Sequence, residues 1–293
     1  MPGRGQSENP RRPRLVRPHR GHDSGQVDPG RHLYAGDRQV KIPAIALNTF
    51  REAVRNKVFY LLLFFGVFFA FSSRFVSMLS VGDQQKVLMD VGLGSIHFFS
   101  VLVAIFTGIN LVYKEIEKKT IYNILSKPIT RLEFVLGKFA GLALTLLVAL
   151  ASMALLFFLF LFVTTGSFAP RCLIFFGLLY IELLIITSLS LVFSSFSTPI
   201  LSSIFTVTLY LVGQVLWTFQ EFKTRLHEPF SRYVATALYY LLPNLDKFNV
   251  KNEVVMDMPL PGGRLLAAAA YGIVYVAALL TLAVVIFRRR ELK

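Results

Sequence analysis

Cysteine and charge are the scarcest features of this chain. Of its 293 residues one is a cysteine, Cys172, which excludes an internal disulfide or a CxxC site and leaves packing as its reading. Charged residues make up 16%, against roughly 25% in an ordinary soluble domain, while hydrophobic residues reach 54%. So little polar chain cannot cover buried helices, and the chain reads as membrane-embedded rather than soluble. Ten-residue segments of alternating hydrophobicity are also missing, which leaves helices as the spanning element. A phosphate-cradling GxxxxGK[ST] loop is absent too. The one Gly-Lys pair, Gly137-Lys138, is followed by Phe139 and has Leu132 where the first glycine belongs, so this chain is not expected to hydrolyse ATP.

A bilayer core is crossed by about 20 apolar residues, and six stretches have that character: Val58–Ser80, Leu93–Tyr113, Phe139–Val163, Cys172–Phe193, Ile200–Phe219 and Leu265–Phe287. The net charge of +14 suggests nucleic acid at first, but its placement follows the membrane. Basic residues gather at Arg51, Arg55 and Lys57, between the second and third stretches at Lys114, Lys118, Lys119, Lys127, Arg131 and Lys138, and after the last at Arg288, Arg289, Arg290 and Lys293. That is the positive-inside pattern, so both termini and the 113–138 segment are expected in the cytoplasm, with no nucleic-acid partner.

Residues 1–40 are rich in Arg, Pro, Gly and His and poor in large apolar residues, which predicts a disordered basic tail without the apolar region of a signal peptide. The alternative, which we favour, is translation beginning at Val40 from an alternative start codon; basic residues for lipid contact already sit at Arg51 to Lys57. From Lys41 onward, Ile42, Ile45, Ala46, Thr49, Phe50, Ala53 and Val54 recur at helical spacing, with Pro43 suited to a first turn. Residues 41–57 are expected to be an amphipathic interfacial helix, and 58–293 a six-span domain.

Between the second and third spans lies a water-loving segment. Tyr113, Ile116, Thr120, Ile121, Ile124 and Leu125 share one helical face, and Glu115 and Lys119 form an i,i+4 pair worth about 0.2–0.5 kcal/mol. Pro128 stops this helix. Thr130-Arg131-Leu132-Glu133 then fits a capping box, which predicts a new helix that begins in the cytoplasm and runs into the third span. The apolar face of the first helix needs lipid or a protein groove, and the corner argues for a groove. At the next such turn, Ser197 or Thr198 is expected as N-cap, with Pro199 opening the helix.

The run EIEKKTIYNILSKPITRLEFVLGK resembles the signature of ABC-2 type transporter permeases, the membrane subunits of ATP-driven exporters. KIPAIALNTFREAVRNKVFYLLL and LLPNLDKFNVKNEVV are similar to the family's interfacial helix and to the segment before its last span, so the likeness covers about Lys41 to Lys293. Within the family it looks closest to permeases grouped with multi-copper enzyme maturation systems. Lys119 departs from the glycine common there. The resemblance implies an all-α membrane protein of six transmembrane helices, an interfacial helix and a cytoplasmic coupling helix, in a bacterial plasma membrane. It implies a second permease copy or a homologue as partner, lipid around it, and a separate ATPase subunit that carries ATP and Mg, this chain binding no cofactor or metal. The coupling positions it implies are Glu115, Ile116, Glu117, Lys118, Lys119, Thr120, Ile121, Ile124, Leu125, Pro128, Thr130, Arg131 and Glu133.

Polar residues within spans mark a candidate path. Glu182 is the only acid deep in a span, where ionisation costs several kcal/mol unless the group is paired or neutralised. A neighbouring chain could pair it, or it could stay protonated. His97, Thr107, Asn110, Thr206, Thr208 and Gln214 lie on spans two and five, which the resemblance implies border the pathway; helix-to-helix hydrogen bonding is the plainer reading of each. Phe222, Leu226, Phe230, Tyr233, Ala237 and Leu241 predict an amphipathic helix ending before Pro243, a gate in the family or simply an anchor. An intramembrane serine protease would need a GxS on span four and a histidine on span six; Ser188 and Ser190 lack the glycine, and 265–287 has no histidine. An ion-driven carrier would need several intramembrane charges and broken spans.

Overall fold

A computed structural model describes residues 41–79, 83–117, 130–216 and 241–289, with Thr236 and Tyr239. Along 110–117 it describes the backbone alone. The expected tail, the coupling positions 118–128 and the Phe222–Ala237 run, apart from Thr236, lie outside the described residues. The elements are α1 (Lys41–Val54), α2 (Lys57–Leu79), α3 (Gln84–Glu117), α4 (Arg131–Thr165), α5 (Cys172–Ser194), α6 (Pro199–Gln214), a 3-10 turn at Leu245–Phe248, α7 (Lys251–Val255) and α8 (Gly262–Arg289).

Five of these, α2, α3, α4, α5 and α8, are long and apolar enough to cross a bilayer. At 1.5 Å per residue α3 and α4 are each about 50 Å long, well beyond the roughly 30 Å of hydrocarbon, so each continues as helix into an aqueous layer. The fifth expected stretch is helical for 16 residues as α6, only about 24 Å. Among the described residues the count of full-length spans is therefore five. The second stretch also begins earlier than its hydropathy suggests. Asp83 accepts hydrogen bonds at Oδ1 from the amides of Gln85 and Lys86, 3.2 and 3.3 Å, and starts α3 at Gln84. Residues 84–92 are thus helix rather than loop, and the polar Gln84-Gln85-Lys86 hides that from an apolar-run reading. At the turn before α6, Thr198 holds the N-cap position without a side-chain bond, while Ser197 and Ser202 pair their hydroxyls at 2.7 Å.

Packing follows the logic of lipid, in which burying a large apolar side chain gains nothing over leaving it in the bilayer, so close van der Waals fit decides the interface. On α2 the buried residues are Phe59 and then small ones: Gly66, Ala70, Ser73 and Ser77. Phe64, Phe68 and Phe75 face outward. Most serine and threonine hydroxyls on the spans return to their own helix three or four residues back, as with Ser73 to the Ala70 carbonyl and Thr145 to the Gly141 carbonyl, the latter at 2.8 Å, which satisfies them where no water is available. α5 is the most enclosed span, buried on every side over 185–192 and open along one face near its start, at Leu173 and Gly177.

α1 and α4 approach closely. A Cβ added to Gly137 would stand 2.7 Å from Ile45 Cβ, and one on Gly141 would stand 2.5 Å from the Ala46 carbonyl and Thr49 Cβ. Gly137 and Gly141 therefore form a small-xxx-small seat. The face of α1 read as resting on the membrane, through Ile45, Ala46, Thr49 and Ala53, meets this protein surface instead, and Thr49 and Ala53 are wholly buried. Gly141→Leu is expected to lower stability by about 1–3 kcal/mol through overpacking, read as a drop in thermal midpoint of the purified protein. Gly177→Ala, at a position open on all sides, is the control expected to leave it unchanged.

Candidate functional site

Two places concentrate polar chemistry. The first is the start of α4. Thr130 adopts extended backbone, its hydroxyl accepts from the Glu133 amide at 3.2 Å, and the Glu133 carboxylate accepts from the Thr130 amide at 2.7 Å. This is the reciprocal cap that the Thr-Arg-Leu-Glu spacing predicts. Arg131, between the two, does something the sequence did not disclose. Its Nη1 donates to the carbonyls of Phe287 and Arg288, 2.6 and 2.9 Å, at the C-terminal end of α8. A cation there satisfies carbonyls that have no partner within the helix and lies favourably against the negative end of the helix dipole. Phe134 stacks on Phe287 with centroids 5.7 Å apart, and the Arg131 guanidinium lies 5.9 Å from the same ring. The feet of α4 and α8 are thereby joined, and α1 is seated on the next two turns of α4.

The second place is the middle of the bundle. Glu182 on α5 has a side chain 2% exposed, and both its oxygens face His97 Nε2 on α3, at 3.3 and 3.2 Å. Gln214, the last residue of α6, donates from Nε2 to Glu182 Oε1 at 2.6 Å. Tyr210, one turn earlier, hydrogen-bonds the Gln214 side chain. His97 packs edge-on to Phe175. The partner of Glu182 thus comes from the same chain. Three helices meet on one carboxylate.

Thr107, Thr206 and Thr208 do not join this cluster. Thr107 and Thr206 are buried and donate to their own helices, at the carbonyls of Val103 and Ser202. Thr208 is exposed on α6. The side chains of Asn110, Glu115, Ile116 and Glu117, and the whole of Lys118, Lys119, Thr120, Ile121, Ile124, Leu125 and Pro128, lie outside the described residues. Ser188 and Ser190 donate to the Leu184 and Ile186 carbonyls, so neither hydroxyl is directed at His97 as a nucleophile would be. Sequence reading missed the Gly137/Gly141 seat, although its GxxxG spacing was visible. It also missed the Arg131 tie, which joins residues 156 apart in the chain and leaves no local signal.

The described residues form a helical bundle, five of whose helices are long and apolar enough to cross a membrane. A family model for ABC-2 family transporter proteins matches residues 43–292, and the chain belongs to that family. No curated protein matches the chain.

Removing the carboxylate should separate charge from hydrogen bonding. Glu182→Ala leaves His97 and Gln214 without their partner and is expected to destabilise by about 1–3 kcal/mol. Glu182→Gln keeps an acceptor for Gln214 and is expected to cost less. Thermal unfolding of the two purified variants in detergent gives the order.

Proposed function

We propose that this chain is the permease half of an ATP-driven exporter, coupled through its 113–138 segment to a separate ATPase subunit that binds ATP and Mg. Members of its family generally work with an ATP-binding cassette ATPase. The observation that carries the reading is the joint at Thr130 and Arg131. The segment preceding it enters a rigid cap whose arginine also holds the last carbonyls of α8, so displacement of that segment moves α4, α8 and the α1 seated on α4 as one body. A loop that only rested on the membrane would need no such tie.

In this proposal the apolar face of Ile116, Thr120, Ile121, Ile124 and Leu125 occupies a groove on the ATPase, with Glu115, Glu117, Lys118 and Lys119 at its rim and Pro128 setting the corner. Both termini are cytoplasmic, as the basic residues flanking the spans indicate, and the membrane is the bacterial plasma membrane. Two permease copies, or this chain and a homologue, enclose the path between α3 and α6. Within the cluster Glu182 is enclosed, whereas His97, at 17% exposure, and the partly exposed Gln214 reach the surface, so these are the side chains a cargo would meet.

Glu117→Lys and Ile121→Glu are each expected to abolish co-purification with the ATPase and its stimulated hydrolysis, with the permease thermal midpoint unchanged. Normal association in both variants would refute the groove. Arg131→Ala should leave association intact and remove hydrogen bonds worth about 1.5–3 kcal/mol each to a charged donor. The expected result is ATPase binding without cargo-stimulated hydrolysis, in membranes reconstituted with both subunits.

A further inference from the structure

At the end of the bundle opposite Thr130, three connections enclose a cavity of about 340 Å³, at the small end of ligand-sized pockets. Its walls are the first turns of α3, the 166–171 turn between α4 and α5, and the end of α7. The floor is apolar: Met89, Val254 and Val255 are all buried. The charged residues of the lining are two cations, Lys86 and Arg171, and two carboxylates, Asp83 and Asp257. Lys86 pairs with Asp83 at 3.1 Å and Arg171 with Asp257 at 2.6 Å. All four side chains are between 43% and 77% exposed, so each pair faces water and is worth little, about 0–1 kcal/mol. Such pairs open readily for a ligand that offers both signs.

Asp257 has φ 58°, in the left-handed region that aspartate tolerates better than most residues, and the Met258 amide closes back on the Glu253 carbonyl at 2.9 Å. The turn therefore holds this carboxylate toward Arg171 across the cavity. Lys86 beside Asp83 keeps that carboxyl below the usual carboxylate range, so it stays ionised in mildly acid conditions. Polar contacts continue along the wall, where Gln85 donates to the Ser167 hydroxyl at 3.1 Å.

Position and chemistry together select the occupant. α4 ends at Thr165 and α5 begins at Cys172, so the cavity lies at the level where two spanning helices leave hydrocarbon, the headgroup layer. Val163 on the last turn of α4, Phe168 in the turn and Leu173 on the first turn of α5 are all more than half exposed, an apolar track beside the cavity on which acyl chains can lie. We propose that the cavity seats the headgroup of an aminophospholipid, its phosphate between Lys86 and Arg171 and its primary ammonium between Asp83 and Asp257. A purely anionic headgroup would set its charge against both carboxylates. A choline headgroup has no N–H to donate, and recognition of quaternary ammonium uses an aromatic cage, whereas among the described residues of the lining Phe168 is the one aromatic.

The test is native mass spectrometry of the full chain in detergent, offered phosphatidylethanolamine, phosphatidylcholine, phosphatidylglycerol or free phosphoethanolamine. Phosphatidylethanolamine is expected to be retained about tenfold better than the other two lipids, a difference of one charge-assisted contact. Asp257→Asn is expected to remove that preference and Lys86→Gln to lower the retention of all three lipids together, both changes being compatible with the local backbone and neither moving the thermal midpoint in lipid-free detergent. A second series leaves the protein untouched: stepwise N-methylation of the ethanolamine should lower retention at each step. Equal retention of the three lipids, a preference for phosphatidylglycerol, or indifference to N-methylation overturns the proposal. Free phosphoethanolamine binding as tightly as the lipid would overturn the lipid as its source.

Discussion

A carboxylate in the middle of a lipid-embedded bundle must be neutralised by something within reach, and that requirement organises the centre of this protein. Glu182 sits on the most enclosed helix, where water cannot lower the cost of its charge. The solution draws one donor from α3 and one from α6 to the same group, His97 and Gln214. These three helices are consequently held in register by a polar contact, where apolar packing alone would let them slide. Hydrophobic attraction cannot do this work in a bilayer, since the alternative to helix contact is equally apolar lipid.

The same absence of hydrophobic drive explains why glycine, alanine and serine make up most of the inward face of α2 and the seat of α1 on α4. Gly66, Ala70, Ser73 and Ser77 turn α2 inward, and its phenylalanines are left to lipid. Gly137 and Gly141 let the backbone of α1 come within van der Waals reach of α4. A larger residue at either position would hold the two helices apart. Neither contact could be found by seeking the most hydrophobic residues, because in this solvent the interface is where bulk is missing.

That inversion also sets what could be read in advance. The membrane class, the helical content and the capping box at Thr130–Glu133 follow from local chemistry, and the structure contains them. The start of α3 was misplaced because Gln84, Gln85 and Lys86 lower the hydropathy of a stretch that Asp83 nonetheless caps as helix. Apolar composition continues past Gln214 to Phe219, and of that expected span the described residues contain the 16 of α6. Of the polar residues picked out within spans, His97, Glu182 and Gln214 converge, while Thr107 and Thr206 bond to their own helices. A sequence marks which side chains are polar, but whether a hydroxyl looks inward or back along its helix depends on a rotamer that spacing does not encode. The Arg131 contact with α8 is of the same kind, a long-range meeting without a local signature.

The two ends of the bundle are built from different interactions. At the Thr130 end, a solvent-facing capping box, paired carbonyl contacts from Arg131 and a buried, glycine-seated helix bind α1, α4 and α8 through short contacts. At the opposite end the ties are ion pairs: Lys251 with Asp90 at 2.9 Å, Arg264 with Glu253 at 2.9 Å, and Arg171 with Asp257 at 2.6 Å. These are partly or largely exposed, screened by salt and individually weak. Under the proposed coupling this asymmetry has a mechanical sense. Work delivered at the stiff end travels along α4, which at about 50 Å is long enough to cross the whole bilayer. It arrives where neighbouring elements are held by contacts that water and salt already compete for, and there rearrangement costs least.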